Sequence, residues 1–215
     1  MKSVIFDFNG TLFFDTELHV TAWKQFLKKL LGREISEEEF HQRVFGRDNI
    51  QVIKSIFPEL SHKELEAYSE EKEVIYRDMC RENPEITHLV EGAEDFFDEL
   101  KARGIPFTIA TGANKGNVDY YFEVFHLGKW FDYGKVVLDD GHLPGKPDPT
   151  VYLLALEKLG AEPEDCVVFE DSPAGVRAAY AAGIKTVVNV QKGTDFPEPV
   201  AGIISDYKDA GKYVE

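Results

Sequence analysis

Near its start the chain reads Val4-Ile5-Phe6-Asp7-Phe8-Asn9-Gly10-Thr11. A short apolar run that stops at polar and turn-forming residues is typical of a buried strand that enters a loop. We therefore predict a strand over Val4–Phe6, which places Asp7 at the carboxyl end of that strand. Asn9 and Gly10 then begin the loop that follows.

Four later segments are similarly apolar, namely Pro106–Ala110, Val136–Leu138, Cys166–Phe169 and Thr186–Val190. They are rich in β-branched residues and nearly continuous, as expected of parallel strands that are buried on both faces. Helical patterns separate them, over Ala93–Arg103, Asn114–His126, Pro149–Leu159 and Ser172–Ala182. Strands that alternate with helices predict an α/β fold, a doubly wound parallel sheet with a Rossmann-like core.

The segment from Asp15 to Glu85 departs from this alternation, because it shows helical periodicity and no strand-like run. Two sequences within it, Ser36-Glu37-Glu38-Glu39 and Ser61-His62-Lys63-Glu64, fit a helix capping box. We therefore predict an α/β core domain over residues 1–14 and 86–215, and an inserted all-helical cap domain over residues 15–85. An insertion directly after the first strand is expected to cap a site at the end of that strand.

The chain of 215 residues is acidic, with 39 Asp and Glu against 24 Lys and Arg and a formal net charge of −15. Such a field repels nucleic acid and anionic membranes, so we expect neither as a partner. Cys80 and Cys166 lie far apart and fit no zinc or disulfide pattern, which indicates a reducing compartment. Without a signal-peptide pattern or an apolar run of ~18 residues, we expect a cytoplasmic protein.

Polar and acidic residues end four of the five predicted strands: Asp7, Thr111, Asp139, Asp140, Glu170 and Asp171. In open α/β sheets, ligands bind outside the carboxyl ends of the strands. Carboxylates that converge there repel one another and persist together when a cation neutralises them, and hard oxygen ligands suit Mg²⁺. The alternative is that each acid is only the N-cap of the helix that follows.

Four motifs resemble those of the haloacid dehalogenase (HAD) superfamily. They are Phe6-Asp7-Phe8-Asn9-Gly10-Thr11-Leu12, Thr111-Gly112, Gly145-Lys146-Pro147-Asp148-Pro149 and Phe169-Glu170-Asp171-Ser172-Pro173-Ala174-Gly175-Val176. The motifs stand in the family's order and usual spacing, and the resemblance covers essentially the whole chain. The helical insert is similar to the small cap of the β-phosphoglucomutase-like branch of that superfamily.

The resemblance implies that Asp7 attacks phosphorus and forms an aspartyl-phosphate, which splits the displacement into two steps. It also implies Mg²⁺ as a cofactor, held by the carboxylate of Asp7, the backbone carbonyl of Asn9, and Asp171. Glu170 would be either a further ligand or a partner that orients the ligands.

A second group of residues would bind the phosphoryl group of the substrate. The resemblance assigns this role to Gly10, Thr111, Gly112 and Lys146. Thr111 would donate its hydroxyl to a phosphoryl oxygen, and Lys146 would neutralise phosphoryl charge and orient Asp7. For Lys146 the alternative is a solvated loop lysine that precedes a proline-rich helix start.

Two stretches of the insert also resemble the β-phosphoglucomutase-like branch: His19-Val20-Thr21-Ala22-Trp23-Lys24 and Gly46-Arg47. They imply His19 and Arg47 as substrate-binding residues. The alternatives are a partly exposed surface histidine and a solvated arginine.

Asn9 departs from the family pattern. Its phosphatases and mutases usually carry aspartate two residues after the nucleophile, where it protonates the leaving group and then activates water. An amide cannot do this, and losing such a group typically costs ~10²–10⁴ in rate. Three outcomes stay open: a substrate with a good leaving group such as an acyl phosphate, replacement of the acid by His19 or Glu17, or loss of turnover. An engineered Asp-to-Asn change would also produce this residue.

We therefore predict a Mg²⁺-dependent phosphatase of a small phosphorylated metabolite, acting through an aspartyl-phosphate on Asp7 and impaired to an unknown degree by Asn9. One alternative is a sugar-phosphate mutase similar to β-phosphoglucomutase, motivated by His19, Trp23 and Arg47. Another is a catalytically silent protein that binds a phosphorylated ligand, motivated by Asn9. We expect a monomer.

Two other branches of the superfamily fit less well. The dehalogenase branch lacks the metal-binding acids, whereas this chain keeps Glu170-Asp171. The phosphonate-hydrolysing branch uses a cap lysine as a Schiff base, and the lysines considered for that role lack apolar surroundings in the sequence. They are Lys24, Lys28, Lys29 and Lys54.

Overall fold

The computed structural model describes residues 2–44, 47–191 and 196–215. It divides into two compact units. The first, which we name the core unit, comprises Met1–Phe14 and His88–Glu215. The second, named the helical unit, comprises Asp15–Thr87.

A parallel sheet organises the core unit. In the described residues it has six strands in the order β3-β2-β1-β4-β5-β6. They are β1 (Ser3–Phe6), β2 (Phe107–Asn114), β3 (Val137–Asp139), β4 (Cys166–Glu170), β5 (Thr186–Val190) and β6 (Gly202–Ile204). The strand order reverses between β1 and β4, and the carboxyl ends of strands at such a point are where α/β proteins bind ligands. The predicted α/β fold class is confirmed.

Eight α-helices accompany the sheet in the described part of the chain. The helical unit contains α1 (Thr16–Leu31), α2 (Glu37–Val44), α3 (Asn49–Ile56) and α4 (His62–Glu82). The core unit contains α5 (Ala93–Ala102), α6 (Lys115–Val124), α7 (Thr150–Leu159) and α8 (Pro173–Ala181). Short 3₁₀ turns cover Leu127–Lys129, Tyr133–Lys135, Pro163–Asp165 and Ala210–Val214.

Both faces of the sheet are buried. Successive side chains of a strand point to opposite faces, so neighbouring residues of β1 show what covers each face. Ile5 of β1 packs with Tyr152 of α7 and Val176 of α8 in one apolar cluster. The next residue, Phe6, lies in an aromatic cluster, where its ring stacks on Phe169 of β4 at a centroid distance of 5.3 Å. A sheet packed on both faces is a rigid support for the loops at its carboxyl edge.

The helical unit has its own apolar core, which includes Trp23, Phe26, Phe40, Val52 and Leu65. The predicted capping box at Ser61 is present, since the Ser61 side chain and the Glu64 backbone and side chain satisfy each other. At Ser36 only half of the predicted box forms. The Glu39 backbone N–H donates to the Ser36 hydroxyl at 3.1 Å, but the Glu39 carboxylate binds Arg33 instead.

Two strand boundaries differ from the prediction. β2 does not stop at Thr111 but continues to Asn114, because Asn114 pairs with Asp139 of β3 after an irregularity in register. β6 (Gly202–Ile204) was not predicted, since its three half-buried residues form too short an apolar run. In the described residues, no helix has both the length and the apolar character that a membrane span requires.

Candidate active site

Three carboxylates meet at the carboxyl ends of β1 and β4. Asp7 directly follows β1, and its backbone N–H donates to the carbonyl of Phe169 at 3.0 Å. Glu170 ends β4 and Asp171 follows it. Carboxylate oxygens of Asp7, Glu170 and Asp171 lie within 4.8 Å of one another. The structure thus brings together the acids that the sequence suggested as a cation site.

Lys146, in the loop before α7, joins two of these acids. Its Nζ lies 2.6 Å from Oδ1 of Asp7 and 2.6 Å from Oε1 of Glu170. It also lies 5.0 Å from the centroid of the Tyr152 ring. Because only 13% of its side chain is exposed, Lys146 is not the solvated loop lysine of the alternative interpretation.

Glu170 is held by the protein on both of its carboxylate oxygens. Oε1 accepts hydrogen bonds from Lys146 and, at 3.2 Å, from the Tyr152 hydroxyl. Oε2 accepts from the backbone N–H of Ser172 at 2.6 Å and from its hydroxyl at 3.1 Å. A carboxylate with this many protein donors fits a residue that orients the site better than it fits a direct metal ligand.

Burial and the neighbouring charges shift the pKa values of Asp7, Asp171 and Lys146. Burial raises the pKa of Asp7 to about 6, although the attraction of Lys146 opposes the rise. Burial and the charges of Glu170 and Asp7 hold the pKa of Asp171 well above its ordinary value. Burial alone would lower the pKa of Lys146, but the two acids it binds hold that pKa well above its ordinary value.

The donor set fits a hard divalent cation. Three carboxylates outnumber one lysine by two negative charges, a surplus that such a cation would neutralise. Oxygen ligands of this kind suit Mg²⁺. The N-cap alternative is wrong for Glu170 and Asp171, because Ser172 caps α8 by accepting from the backbone N–H of Gly175 at 3.0 Å.

The acids at the end of β3 do not take part in this cluster. Asp139 accepts a hydrogen bond from the backbone N–H of Gly141 at 2.8 Å, and Asp140 accepts from that of His142 at 3.0 Å. Both carboxylates therefore stabilise the turn after β3. In the described residues the only group of three potential metal ligands is that of Asp7, Glu170 and Asp171.

The side chain of Asn9 contacts a tyrosine that sequence reasoning missed as part of the site. The Asn9 Nδ2 donates to the Tyr121 hydroxyl at 2.7 Å. The Tyr121 ring in turn stacks on Phe8 with a centroid distance of 4.3 Å. In the sequence Tyr121 falls within the helical pattern over Asn114–His126, and only its hydroxyl indicated that it could make a polar contact.

Gly10 adopts a conformation and a position that only glycine fits well. Its φ is +76°, in the left-handed region, and a Cβ atom there would lie 2.2 Å from Oδ2 of Asp171. The close approach of this loop to Asp171 therefore depends on the missing side chain. The Thr11 hydroxyl also donates to Oδ1 of Asp171 at 3.4 Å.

Thr111 and Gly112 lie on β2, beside β1. Thr111 is buried, and its hydroxyl accepts from the backbone N–H of Ala113 at 3.1 Å. Gly112 is exposed. Their predicted contacts with a phosphoryl group stay predictions.

His19 lies in the helical unit, within a cluster of polar side chains. Its Nδ1 is 2.8 Å from Nζ of Lys72, its Nε2 is 3.3 Å from Oδ2 of Asp15, and its ring stacks on Tyr76 at 3.8 Å. His19 is partly exposed, with 25% of its side chain accessible, as the alternative interpretation expects, and it also has polar partners. Arg47 is exposed, and Gly46 lies outside the described residues.

Lys72 is a buried lysine of the insert that was not among the candidates for a Schiff-base lysine. It is 1% exposed, pairs with Glu73 at 2.9 Å, and burial lowers its pKa although Glu73 opposes this. Three of the lysines that were considered instead form ion pairs with acids: Lys24 with Glu37, Lys28 with Glu34 and Lys29 with Glu71. Lys72 shares a helix face with Leu65, Tyr76 and Cys80, and this periodicity could have revealed its burial.

A family model described as haloacid dehalogenase-like hydrolase matches residues 1–183. The chain belongs to this family of hydrolases.

A curated relative, the phosphorylated carbohydrates phosphatase of Thermotoga maritima, is 32% identical over 195 residues, which cover 88% of this chain and 85% of the relative. A crystal structure of a HAD hydrolase of family IA, variant 3, from Entamoeba histolytica is 37% identical, with a TM-score of 0.90. That match covers 100% of this chain and 98% of the other.

A crystal structure of β-phosphoglucomutase from Clostridium difficile has a TM-score of 0.79 at 21% identity and covers 99% of this chain and 97% of the other. At that identity the likeness concerns the fold alone. The resemblance to the HAD superfamily is confirmed. A crystal structure of a putative β-phosphoglucomutase from Thermotoga maritima, 26% identical with a TM-score of 0.68 and covering 94% of each chain, is among the structural neighbours.

Proposed function

We propose that this chain is a Mg²⁺-dependent phosphatase that releases phosphate from a small phosphorylated carbohydrate through an aspartyl-phosphate on Asp7. The observation that carries the proposal is the arrangement in which Lys146 holds the Asp7 carboxylate at 2.6 Å beside the carboxylate of Asp171. The relative from Thermotoga maritima, a phosphorylated carbohydrates phosphatase, supports the substrate class.

Asp7 acts as the nucleophile. Its carboxylate attacks phosphorus, the bond to the leaving group breaks, and water then hydrolyses the acyl phosphate and frees Asp7. Lys146 orients the carboxylate through its bond to Oδ1. Glu170 keeps Lys146 in place, because it binds the same ammonium group at 2.6 Å.

The remaining assigned residues neutralise and position the phosphoryl group. Mg²⁺, when held by Asp7, Asp171 and the backbone carbonyl of Asn9, supplies positive charge to the phosphoryl oxygens. Gly10, Thr111 and Gly112 bind those oxygens. Phosphoryl transfer depends mainly on such positioning and charge neutralisation.

Asn9 limits which substrates react well. Its amide, which donates to the Tyr121 hydroxyl, offers no carboxyl proton to a leaving group. Among phosphorylated carbohydrates, we therefore assign to this chain those whose leaving group departs readily as an anion, such as acyl phosphates. A sugar-phosphate mutase is the less favoured function, because returning the phosphoryl group to a sugar hydroxyl demands the base that Asn9 lacks. A silent phosphate-binding protein is the other candidate, and Asn9 is the observation that favours it.

The test is Mg²⁺-dependent phosphate release from p-nitrophenyl phosphate, whose leaving group needs little protonation. We expect turnover by the unaltered chain and none by Asp7→Ala. Asn9→Asp is expected to accelerate release from an alkyl sugar phosphate by about 10²–10⁴, and release from p-nitrophenyl phosphate by much less.

Each other outcome assigns a different function. Phosphate release that survives in Asp7→Ala would refute the aspartyl-phosphate mechanism. Turnover only in Asn9→Asp, with ligand binding by the unaltered chain, would indicate the silent binding protein. Formation of glucose 6-phosphate from β-glucose 1-phosphate would indicate the mutase.

From composition and resemblance we further propose a monomeric, cytoplasmic protein whose helical unit acts as a cap. We also propose that His19 and Arg47 contact the substrate and that neither nucleic acid nor a membrane is a partner. The net charge of −15 supports the last of these.

A further inference from the structure

An asparagine occupies a buried position on an internal strand of the sheet, β5. β5 reads Thr186-Val187-Val188-Asn189-Val190, and Asn189 is 0% exposed. Asparagine is depleted in strands, and burial of an amide is unfavourable unless it is hydrogen-bonded. Valine, which fills the neighbouring positions, would suit this strand better, so Asn189 calls for an explanation.

The amide of Asn189 binds the backbone that carries the acids of the candidate site. Its Nδ2 donates to the carbonyl of Glu170 at 3.0 Å and to the carbonyl of Asp171 at 3.1 Å. The register of the sheet causes this contact, because Asn189 of β5 stands opposite Glu170 of β4.

The other end of the same amide gains no hydrogen bond. Among the described residues, Asn189 Oδ1 is buried and has no hydrogen-bond partner. Leaving a buried acceptor unpaired costs about 1–3 kcal/mol. The side chain therefore satisfies the two carbonyls at the expense of its own oxygen, and a local rule broken in this way is typical of functional sites.

The two carbonyls belong to the point where the chain leaves the sheet. β4 ends at Glu170, Asp171 follows, and Ser172 already caps α8. The direction of the Asp171 carboxylate toward Asp7 depends on the backbone of this turn. A side chain that binds both carbonyls fixes that backbone from the neighbouring strand.

We infer that Asn189 is a positioning residue for the cation site, acting through the backbone of Glu170 and Asp171. The inference rests on the proposed function, since it takes the acids as the Mg²⁺ site. Residues that support metal ligands from outside typically change metal affinity by about 10–100-fold when they are replaced.

Asn189→Val is the decisive variant, because it removes both donors and places a β-branched residue in a strand of valines. Ser3→Ala is the matched control. The hydroxyl of Ser3 is likewise buried and without a hydrogen-bond partner among the described residues, but it lies at the opposite end of β1, across from Cys166. Both variants remove an unpaired buried oxygen, and only the first lies beside the acids.

Mg²⁺ affinity is measured by titration calorimetry, and thermal unfolding is followed with EDTA and with Mg²⁺. For Asn189→Val we expect Mg²⁺ affinity lower by about tenfold or more. We also expect a lower melting temperature in EDTA, because the carbonyls of Glu170 and Asp171 lose the donor that Asn189 supplies. The Mg²⁺ concentration for half-maximal release from p-nitrophenyl phosphate should rise in parallel, while KM for that substrate at saturating Mg²⁺ stays unchanged. Ser3→Ala should keep the Mg²⁺ affinity of the unaltered chain.

Unchanged Mg²⁺ affinity in Asn189→Val would overturn the inference and leave the proposed function standing. If the unaltered chain binds no Mg²⁺, the proposed metal site fails, and the inference fails with it. Should Asn189→Val not fold, Asn189→Thr is measured in the same way: weakened Mg²⁺ binding supports the role, and unaltered binding overturns it.

Discussion

One lysine connects two buried carboxylates at the centre of the candidate active site. Lys146 binds Asp7 and Glu170 at equal distances of 2.6 Å. Charge-assisted hydrogen bonds of this length are the strong ones, and they fix Asp7, the proposed nucleophile, before a substrate arrives. Asp171 lies near these two acids, but the ion pairs of Lys146 are with Asp7 and Glu170. The negative charge of Asp171 is therefore the one that a bound cation would neutralise.

The pKa of Asp7 makes the metal-free protein sensitive to pH. The folded pKa is about 6, above the ordinary value that the unfolded chain shows, so folding favours the protonated carboxyl. The contribution of Asp7 to stability is therefore greatest below pH 4 and is lost as the pH rises through about 6. In EDTA at pH 7.5, we expect Asp7→Asn to be more stable than the unaltered chain by up to about 3 kcal/mol.

Urea denaturation of the two proteins at pH 4.5 and at pH 7.5 measures this difference. It should shrink toward zero at the lower pH, because the unaltered Asp7 is then protonated and resembles the amide. A saturating concentration of Mg²⁺ should also remove it at pH 7.5. If Asp7→Asn is less stable than the unaltered chain at pH 7.5 in EDTA, the burial of Asp7 does not have the assigned effect.

Residue 9 shows what a sequence motif leaves out. The replacement of aspartate by Asn9 was evident from the motif, and its chemical consequence followed directly. The contact between Asn9 and the Tyr121 hydroxyl could not be predicted from the motif, because residues 9 and 121 are brought together only by the packing of α6. Asn189 escaped notice for the same reason, since its importance lies in the register between β4 and β5.

At the scale of secondary-structure elements, the start of α8 shapes the site. Ser172 caps the helix and also donates to Glu170. One turn on, Gly175 leaves room for the same carboxylate, because a Cβ atom there would lie 1.6 Å from Oε1 of Glu170. The glycine in this helix is thus required by packing against the carboxylate and not by its backbone conformation.

Gly175→Ala should therefore damage the site although alanine is the better helix former. We expect displacement of Glu170, a loss of about 2–5 kcal/mol in the free energy of unfolding, and a rate of phosphate release at least tenfold lower. The control is Gly128→Ala, where a Cβ atom would meet nothing within 4 Å. Urea denaturation and the p-nitrophenyl phosphate assay compare the two, and equal stability and activity would contradict this account of Gly175.

The elements around the site were largely predictable because their apolar patterns are local. The runs Val4–Phe6 and Cys166–Phe169 identified β1 and β4, and the acids after them followed from the rule for strand ends. Boundaries set by neighbours were not predictable. β2 extends past Thr111 through its pairing with β3, and β6 exists only because it pairs with β5.

At the scale of the whole molecule, two apolar cores support two kinds of polar cluster. The core unit places its acids and Lys146 at the edge of a sheet that is buried on both faces. The helical unit has a separate apolar core and encloses Lys72, whose pKa burial lowers. Each unit therefore has its own apolar core beside its polar cluster.

The charge of the whole chain opposes the substrate that the site is proposed to bind. A net charge of −15 repels a phosphate dianion, and the repulsion acts over about 30 Å at 10 mM salt but only about 8 Å at 150 mM. Added salt should therefore raise kcat/KM for p-nitrophenyl phosphate by about threefold or more, through a lower KM and with kcat unchanged. Mg²⁺ is kept saturating, so that the local charge of the site is constant.

Steady-state kinetics at 10 and 150 mM salt measure this effect, and NaCl and KCl should act alike if ionic strength alone is responsible. Unchanged melting temperatures over the same range show that folding is not the cause. A fall in kcat/KM with salt would mean that the positive charge of Lys146 and Mg²⁺ dominates the approach of the substrate. Salt weakens the attraction of the substrate by local cations, whereas it strengthens binding when it screens a long-range repulsion. A fall would therefore show that the acidic surface does not control substrate binding.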